Sequence, residues 1–248
     1  MSTSYWRRGL QVVCGMVAVA AVLAPSPAHA QITRVSNSDW TQAIGFKIGY
    51  FALKGDDSRG EDDVIFRNQD SLLFDTSDFN GASIGAEWLV ALGPYLEGGA
   101  DVGFYQKTVP SIYRDLQNEN GFELEQDLKL RIVPMSATVR FLPIGRRGAV
   151  QPYIGAGLGV FAWRYSETGE FVDFNGDIFR ASFSADGTEF GPVVLGGIRF
   201  AVGDAWLVGG EFRWQDAKGD TGGIDEGFLG DRIHLGGWTT NFGLHFRF

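Results

Sequence analysis

The chain has 248 residues, 44% of them hydrophobic, and its 30 acidic and 21 basic side chains give a net charge of −9. That balance argues against nucleic acid as a partner. The single cysteine, Cys14, lies within the first thirty residues, so the rest of the chain has neither disulfides nor thiol chemistry.

Residues 1–30 open with Arg7 and Arg8, continue in an almost unbroken apolar run from Leu10 to Leu23, and end in the small-x-small step Ala28-His29-Ala30. This is the layout of a signal peptide cleaved before Gln31, leaving a mature domain over 31–248. A retained span is disfavoured, because the run is short and Pro25 and Pro27 follow it. A lipoprotein anchor at Cys14 is disfavoured because most of the apolar core comes after that residue. Cleavage removes two basic residues and no acid, so the net charge moves from −9 to −11. An exported chain of this kind is either a periplasmic or secreted β protein or an outer-membrane barrel.

Eight segments have the period of two that marks a strand: 40–53, 78–91, 95–107, 128–142, 151–165, 188–202, 206–217 and 232–248. In the first, Ile44, Phe46, Ile48 and Tyr50 share one face and Gly45, Lys47 and Gly49 the other. In the third, Leu96, Ala100, Val102 and Phe104 oppose Glu97, Gly99, Asp101 and Gly103. The fourth changes parity: Leu128, Leu130 and Ile132 give way to Met135, Ala137, Val139 and Phe141, which predicts a bulge at Val133-Pro134. The fifth, "YIGAGLGV" from Tyr153, alternates glycines, whose inward positions could leave a small cavity near Phe161 and Trp163. In the sixth, Val194, Ile198 and Phe200 oppose Gly197 and Arg199, with Leu195 on the wrong side. In the seventh, Trp206, Val208, Phe212 and Trp214 oppose Gly209, Glu211 and Arg213. The eighth ends in "NFGLHFRF", where Phe242, Leu244, Phe246 and Phe248 form an apolar row to the last residue.

The gaps sort by length. Residues 92–94, 143–150 and 203–205 are short, whereas 54–77, 108–127, 166–187 and 218–231 are long and acidic. Strict alternation puts all short turns on one side and all long loops on the other, as in an antiparallel up-and-down transmembrane β-barrel of eight strands. In such a barrel the apolar face meets lipid, and charges on the other face are buried and must pair. The predicted lumen set is Lys47, Glu87, Glu97, Asp101, Arg140, Arg199, Glu211 and Arg213, four acids against four bases. Aromatics at the short-turn ends predict a girdle of Trp40, Trp88, Tyr95, Phe141, Tyr153, Phe200, Trp206, Phe246 and Phe248.

The terminal "GLHFRF", the "QPYIGAGLGVFAWRY" stretch (151–165) and "MSATVRFLP" (135–143) resemble the small eight-stranded outer-membrane barrels, the group of the OmpA transmembrane domain, OmpX and OmpW. The resemblance covers roughly 40–248. It implies a monomer in the Gram-negative outer membrane. It also implies that Phe242, Leu244, Phe246 and Phe248 serve as an assembly signal read by the barrel-assembly machinery. No residues follow the last segment, so it carries no expectation of the peptidoglycan-binding domain of full-length OmpA.

Some such barrels are lipid-modifying or proteolytic enzymes. Here the mature chain has two histidines. His245 is expected on the inner face beside Arg247. His234 could meet Ser182 or Ser184, but no nucleophile motif accompanies it, and no catalytic residue, cofactor or metal ligand is assigned. "DFNGD" (173–177) begins like a calcium loop, yet its sixth and twelfth positions are Ile178 and Ser184, so it is expected to be an Asn-Gly turn. The acidic stretches 55–63 and 222–231 are expected to be solvated. Their alternative use is loose binding of Ca²⁺ or Mg²⁺ that bridges the loops to anionic lipopolysaccharide. The leading expectation is a structural or surface-interaction role, with a narrow channel or transport aid for small or hydrophobic solutes as the alternative. Eight strands exclude a wide pore, since their interior is just filled by side chains.

Overall fold

The computed structural model describes residues 40–117, 120–173 and 175–248. The expected signal peptide and Cys14 lie outside these residues. Eight long strands close into a ring: β1 (Gln42–Leu53), β2 (Gly81–Ala91), β3 (Leu96–Gln117), β4 (Glu123–Phe141), β5 (Val150–Val172), β6 (Ile178–Val202), β7 (Trp206–Gln215) and β10 (Gly237–Arg247). Two short strands, β8 (Lys218–Asp220) and β9 (Arg232–His234), pair with each other outside the ring. Every neighbour in the ring is antiparallel, and β10 closes it on β1 from Ala43↔Arg247 to Leu53↔Gly237. No described helix is long and apolar enough to cross a membrane.

Two of the expected loops are mostly strand. β3 and β4 stay paired beyond Val109↔Leu128, and β5 and β6 to Val172↔Ile178. The expected bulge at Val133-Pro134 is also absent. β4 pairs with β5 in one register from Gln126↔Gly169 to Phe141↔Ile154, and with β3 in one register across Tyr105↔Ile132 and Val102↔Met135. Pro134 only interrupts the ladder opposite Gly103 and Phe104, because it has no N–H to donate. The shift in this hairpin lies near its tip, between Ile112 and Gln117.

Both corrections have one cause. On β4, Met135, Ala137, Val139 and Phe141 face outward and are exposed, while Ser136, Thr138 and Arg140 face inward and are buried. Further up, Leu124, Leu128, Leu130 and Ile132 occupy the inward positions, and Glu123, Glu125, Asp127, Lys129 and Arg131 the outward ones. The parity never changes; the chemistry of the two faces exchanges. Where lipid surrounds the barrel the outside is apolar, and where water surrounds it the inside is. Leu195 is inward as its parity indicates, buried with Leu142 and Tyr153 among the lumen charges.

The outward apolar run on β5, Ile154 to Ala162, spans roughly 20 Å along the barrel axis at about 3.3 Å per residue and a tilt of about 40°. That is close to the apolar band of outer-membrane barrels. Trp88, Tyr95, Phe141, Phe200, Trp206, Phe246 and Phe248 are exposed near the short-turn end. Trp40 and Tyr153 are buried and leave the expected girdle: Arg146 stacks over the Trp40 ring, and Tyr153 lies among lumen charges.

Candidate functional site

The lumen has a charged lower half and an apolar upper half, closed by the loops above it. In the lower half β1, β2, β3, β4, β6 and β7 each contribute inward charges, and these meet across the ring. Lys47 Nζ lies 3.1 Å from Glu87 and 3.3 Å from Glu211. Arg140, fully buried, donates to Glu87 at 2.6 Å and approaches Glu211 at 3.4 Å. Arg199, also fully buried, donates to Glu97 at 2.6 Å, and Arg213 pairs with Asp101. The structure therefore brings the eight predicted lumen residues into one ion-paired interior. Such pairing matters because a charge left alone here bears its full desolvation cost.

Three further members were not assigned to this network. The Tyr153 hydroxyl donates to Glu211 at 3.1 Å, and its ring lies under Arg140 and Arg199, 5.2 and 4.7 Å from the guanidinium carbons. Its inward parity was the signal, overridden by its place at a strand end. His245 Nε2 contacts Glu87, not Arg247, whose guanidinium donates to the Gly203 carbonyl at 2.7 Å. The Ser136 hydroxyl donates to Asp101.

The upper half is a hydrophobic core. Tyr105, Leu128, Leu130, Ile132, Phe161, Trp163 and Tyr165 on the strands pack with Val64, Ile65, Phe79, Phe228, Ile233 and Leu235 from the two long loops. The expected cavity beside Phe161 and Trp163 is filled. A Cβ on Gly159 would strike the Phe161 ring, and one on Gly219 the Trp163 ring, so these glycines make room for the aromatics. A small void of about 40 Å³ lies instead at the seam of the two halves, lined by Lys47, Tyr105, Ile132 and Arg213. It has room for a few waters, not for a path.

The cap is tied down by a buried carboxylate. Asp63 caps helix α1 (Val64–Asn68), accepting from Ile65 N at 3.0 Å and Phe66 N at 3.1 Å. It also pairs with Arg59 at 2.6 Å and accepts from His234 N at 2.7 Å, linking the first loop to the last. Asn68 donates to Glu167 on β5 at 2.6 Å, which anchors the helix to the wall. Burial pushes the Glu167 carboxyl up to about 7, against the hydrogen bonds from Asn68 and Tyr165. Part of the acidic 55–63 stretch is thus structural rather than solvated.

The structure does not bring His234 together with Ser182 or Ser184. His234 is buried in the cap with both ring nitrogens unpartnered, and burial lowers its pKa. Ser182 and Ser184 lie on the outward face of β6, near Thr168 and Arg164 respectively. Among the described residues no group of three or more His, Cys, Asp or Glu is arranged to hold a metal ion. At the "DFNGD" stretch, Asp173 Oδ1 accepts from Asn175 N and Asp177 N, both at 2.8 Å, and Gly176 takes φ +88°, between the paired ends of β5 and β6; Phe174 lies outside the described residues. On β10, Phe242, Leu244 and Phe246 are exposed on the outer wall, as is Phe248 just after it, and Asn241, Gly243, His245 and Arg247 are buried within.

A search of curated proteins finds no match. Among solved structures the chain is similar to the N-terminal β-barrel domain of Pseudomonas aeruginosa OprF (11% identity, TM-score 0.38, 84% of this chain and 98% of that one). It is similar to Neisserial surface protein A, NspA (14%, TM-score 0.45, 84% and 96%). It is also similar to Ail, the attachment invasion locus protein of Yersinia pestis, in complex with the heparin analogue sucrose octasulfate (13%, TM-score 0.39, 84% and 99%). The family model for the outer membrane protein beta-barrel domain matches residues 16–246, and the chain belongs to that family.

Proposed function

We propose that this outer-membrane barrel has a structural and surface-interaction role, carried by its cap and two tall hairpins, with no catalysis and no open channel. The observation that carries this is the double closure of the lumen. The lower half is filled by paired charges, and the upper half by a core that the loops complete with Phe79, Phe228 and Ile233. A solute path would have to break both. The hairpins β3–β4 and β5–β6 raise a largely polar outer wall above the membrane, ending in exposed tips such as Phe122. Exposed carboxylates of the first loop, among them Asp57 and Glu61, suit contacts with anionic lipopolysaccharide through divalent cations. Export by a cleaved leader and insertion by the barrel-assembly machinery, reading the Phe242–Phe248 row, complete the proposal.

Conductance of the purified protein in planar bilayers tests it. Silence at moderate voltage is expected, and a steady open state would refute the sealed lumen and favour the narrow-channel alternative.

A further inference from the structure

A cluster of three cations sits on the outer wall where the barrel leaves the membrane. The cross-strand row Gln106↔Arg131↔Arg164↔Asp186 runs from β3 to β6. Directly below it the outward positions are Phe104, Val133, Ala162 and Thr188; the next ones above it, Thr108, Lys129, Ser166 and Ser184, are polar on all four strands. The row therefore marks the external headgroup level. Lys129 lies one outward position above Arg131, opposite Ser166.

Arg131 and Arg164 are direct cross-strand partners, a like-charge pair that sheets ordinarily avoid because the side chains start about 5 Å apart. Neither they nor Lys129 make an ion pair among the described residues, and Arg164 reaches only the Ser184 hydroxyl at 3.3 Å. Together with Ser166 and Ser184 the three cations line a hollow of about 250 Å³. In a chain of net charge −9 this is a local excess of cations, three against the one facing carboxylate of Asp186, equipped with hydroxyl donors and open to the side where lipid lies.

We propose that Lys129, Arg131 and Arg164 bind the phosphate headgroup of an outer-leaflet lipid, the acyl chains lying down the apolar wall beneath. Guanidinium groups suit phosphate because their N–H forks match its oxygens, and a phosphate between Arg131 and Arg164 turns their repulsion into attraction. The inference rests on the outer-membrane placement proposed above and adds a direct, cation-independent contact on the wall to the loop contacts mediated by divalent ions.

The test uses the full-length gene product extracted from the outer membrane of a Gram-negative host into detergent, with EDTA present. Binding of bisphosphorylated lipid A, dephosphorylated lipid A and inorganic phosphate is measured by native mass spectrometry and thermal shift. Bisphosphorylated lipid A is expected to bind, dephosphorylated lipid A about 100-fold more weakly, and inorganic phosphate not to compete at millimolar concentration. The triple variant Lys129→Gln, Arg131→Gln, Arg164→Gln should lose the same factor, whereas Arg180→Gln, a highly exposed cation higher on the β6 wall, should not. Heat-modified gel mobility verifies that each variant is folded. A folded triple variant that binds within threefold of wild type, or equal binding of the dephosphorylated lipid, overturns the proposal. Competition by free phosphate would reassign the site to a soluble anion and also overturn it. Failure of the wild type to fractionate with outer membranes would sink the underlying placement instead.

Discussion

Arg199→Ala probes the lumen most directly. Arg199 is fully buried, and its Nη2 is the hydrogen-bond partner of Glu97 Oε2 at 2.6 Å, while Glu97 Oε1 has no partner. Truncation leaves the Glu97 carboxylate in the wall with nothing to balance it. It also removes the guanidinium 4.7 Å from the Tyr153 ring centre, although Arg140 stays over that ring. A buried charge stripped of its partner costs about 3–5 kcal/mol, whereas replacing both members of such a pair with apolar groups of similar volume is often neutral. Urea unfolding from phospholipid vesicles, followed by tryptophan fluorescence, should therefore show a loss of about 3–5 kcal/mol for Arg199→Ala. Arg199→Met combined with Glu97→Met should recover most of it. A near-zero effect of the single substitution would mean that water reaches Glu97 freely, and the dry ion-paired lumen would be wrong. An equal loss in single and double variants would place the cost in packing rather than in charge.

Other perturbations separate the remaining elements. Phe242 is exposed on the outer wall between Ile48 and Gly210, so Phe242→Arg should cost about 2–4 kcal/mol in folding into liposomes, against about 0–1 for Phe248→Arg at the interface. Equal effects would contradict the depths assigned to them. Glu167 has a folded pKa of about 7, above its ordinary 4.5, so the folded cap holds the proton more tightly. Its contribution is fully favourable below about 4.5 and is lost as pH rises to about 7. Amide protection factors in 64–68, taken relative to the intrinsic exchange rate at each pH, should then fall between pH 5 and pH 8, and Glu167→Gln should flatten that dependence; an unchanged slope would move the titrating group elsewhere. Proteinase K on intact cells should cut near the exposed residues 120–122 and 175–177 and spare 142–149. Cleavage at Arg146 or Arg147 would invert the orientation.

Within the membrane the fold was legible because lipid and lumen impose opposite demands at every second residue. Ile44 to Tyr50, Leu96 to Phe104 and the Phe242 to Phe248 row could be placed on the outer wall by counting, and Arg199 and Glu211 on the inner one. Above the membrane the same rule misled. Leu128, Leu130 and Ile132 keep the parity of Arg140, but water replaces lipid outside them, so the apolar side becomes the inner one and mimics a register slip. The acidic, hydroxyl-rich outer wall of the same strands looked like loop for the same reason.

Sequence alone determined the number of strands, their order, the lipid-facing set and the balance of inward charge, since these follow from local alternation and gap length. Tertiary structure decided which charges pair, that Tyr153 and His245 join them, and that the first and last loops fold into the mouth around Asp63. Those contacts join residues far apart in the chain, such as Asp63 with His234 and Glu97 with Arg199. Their partners are selected by ring closure and strand register, which bring distant positions to the same height in the lumen, and no local pattern encodes that height.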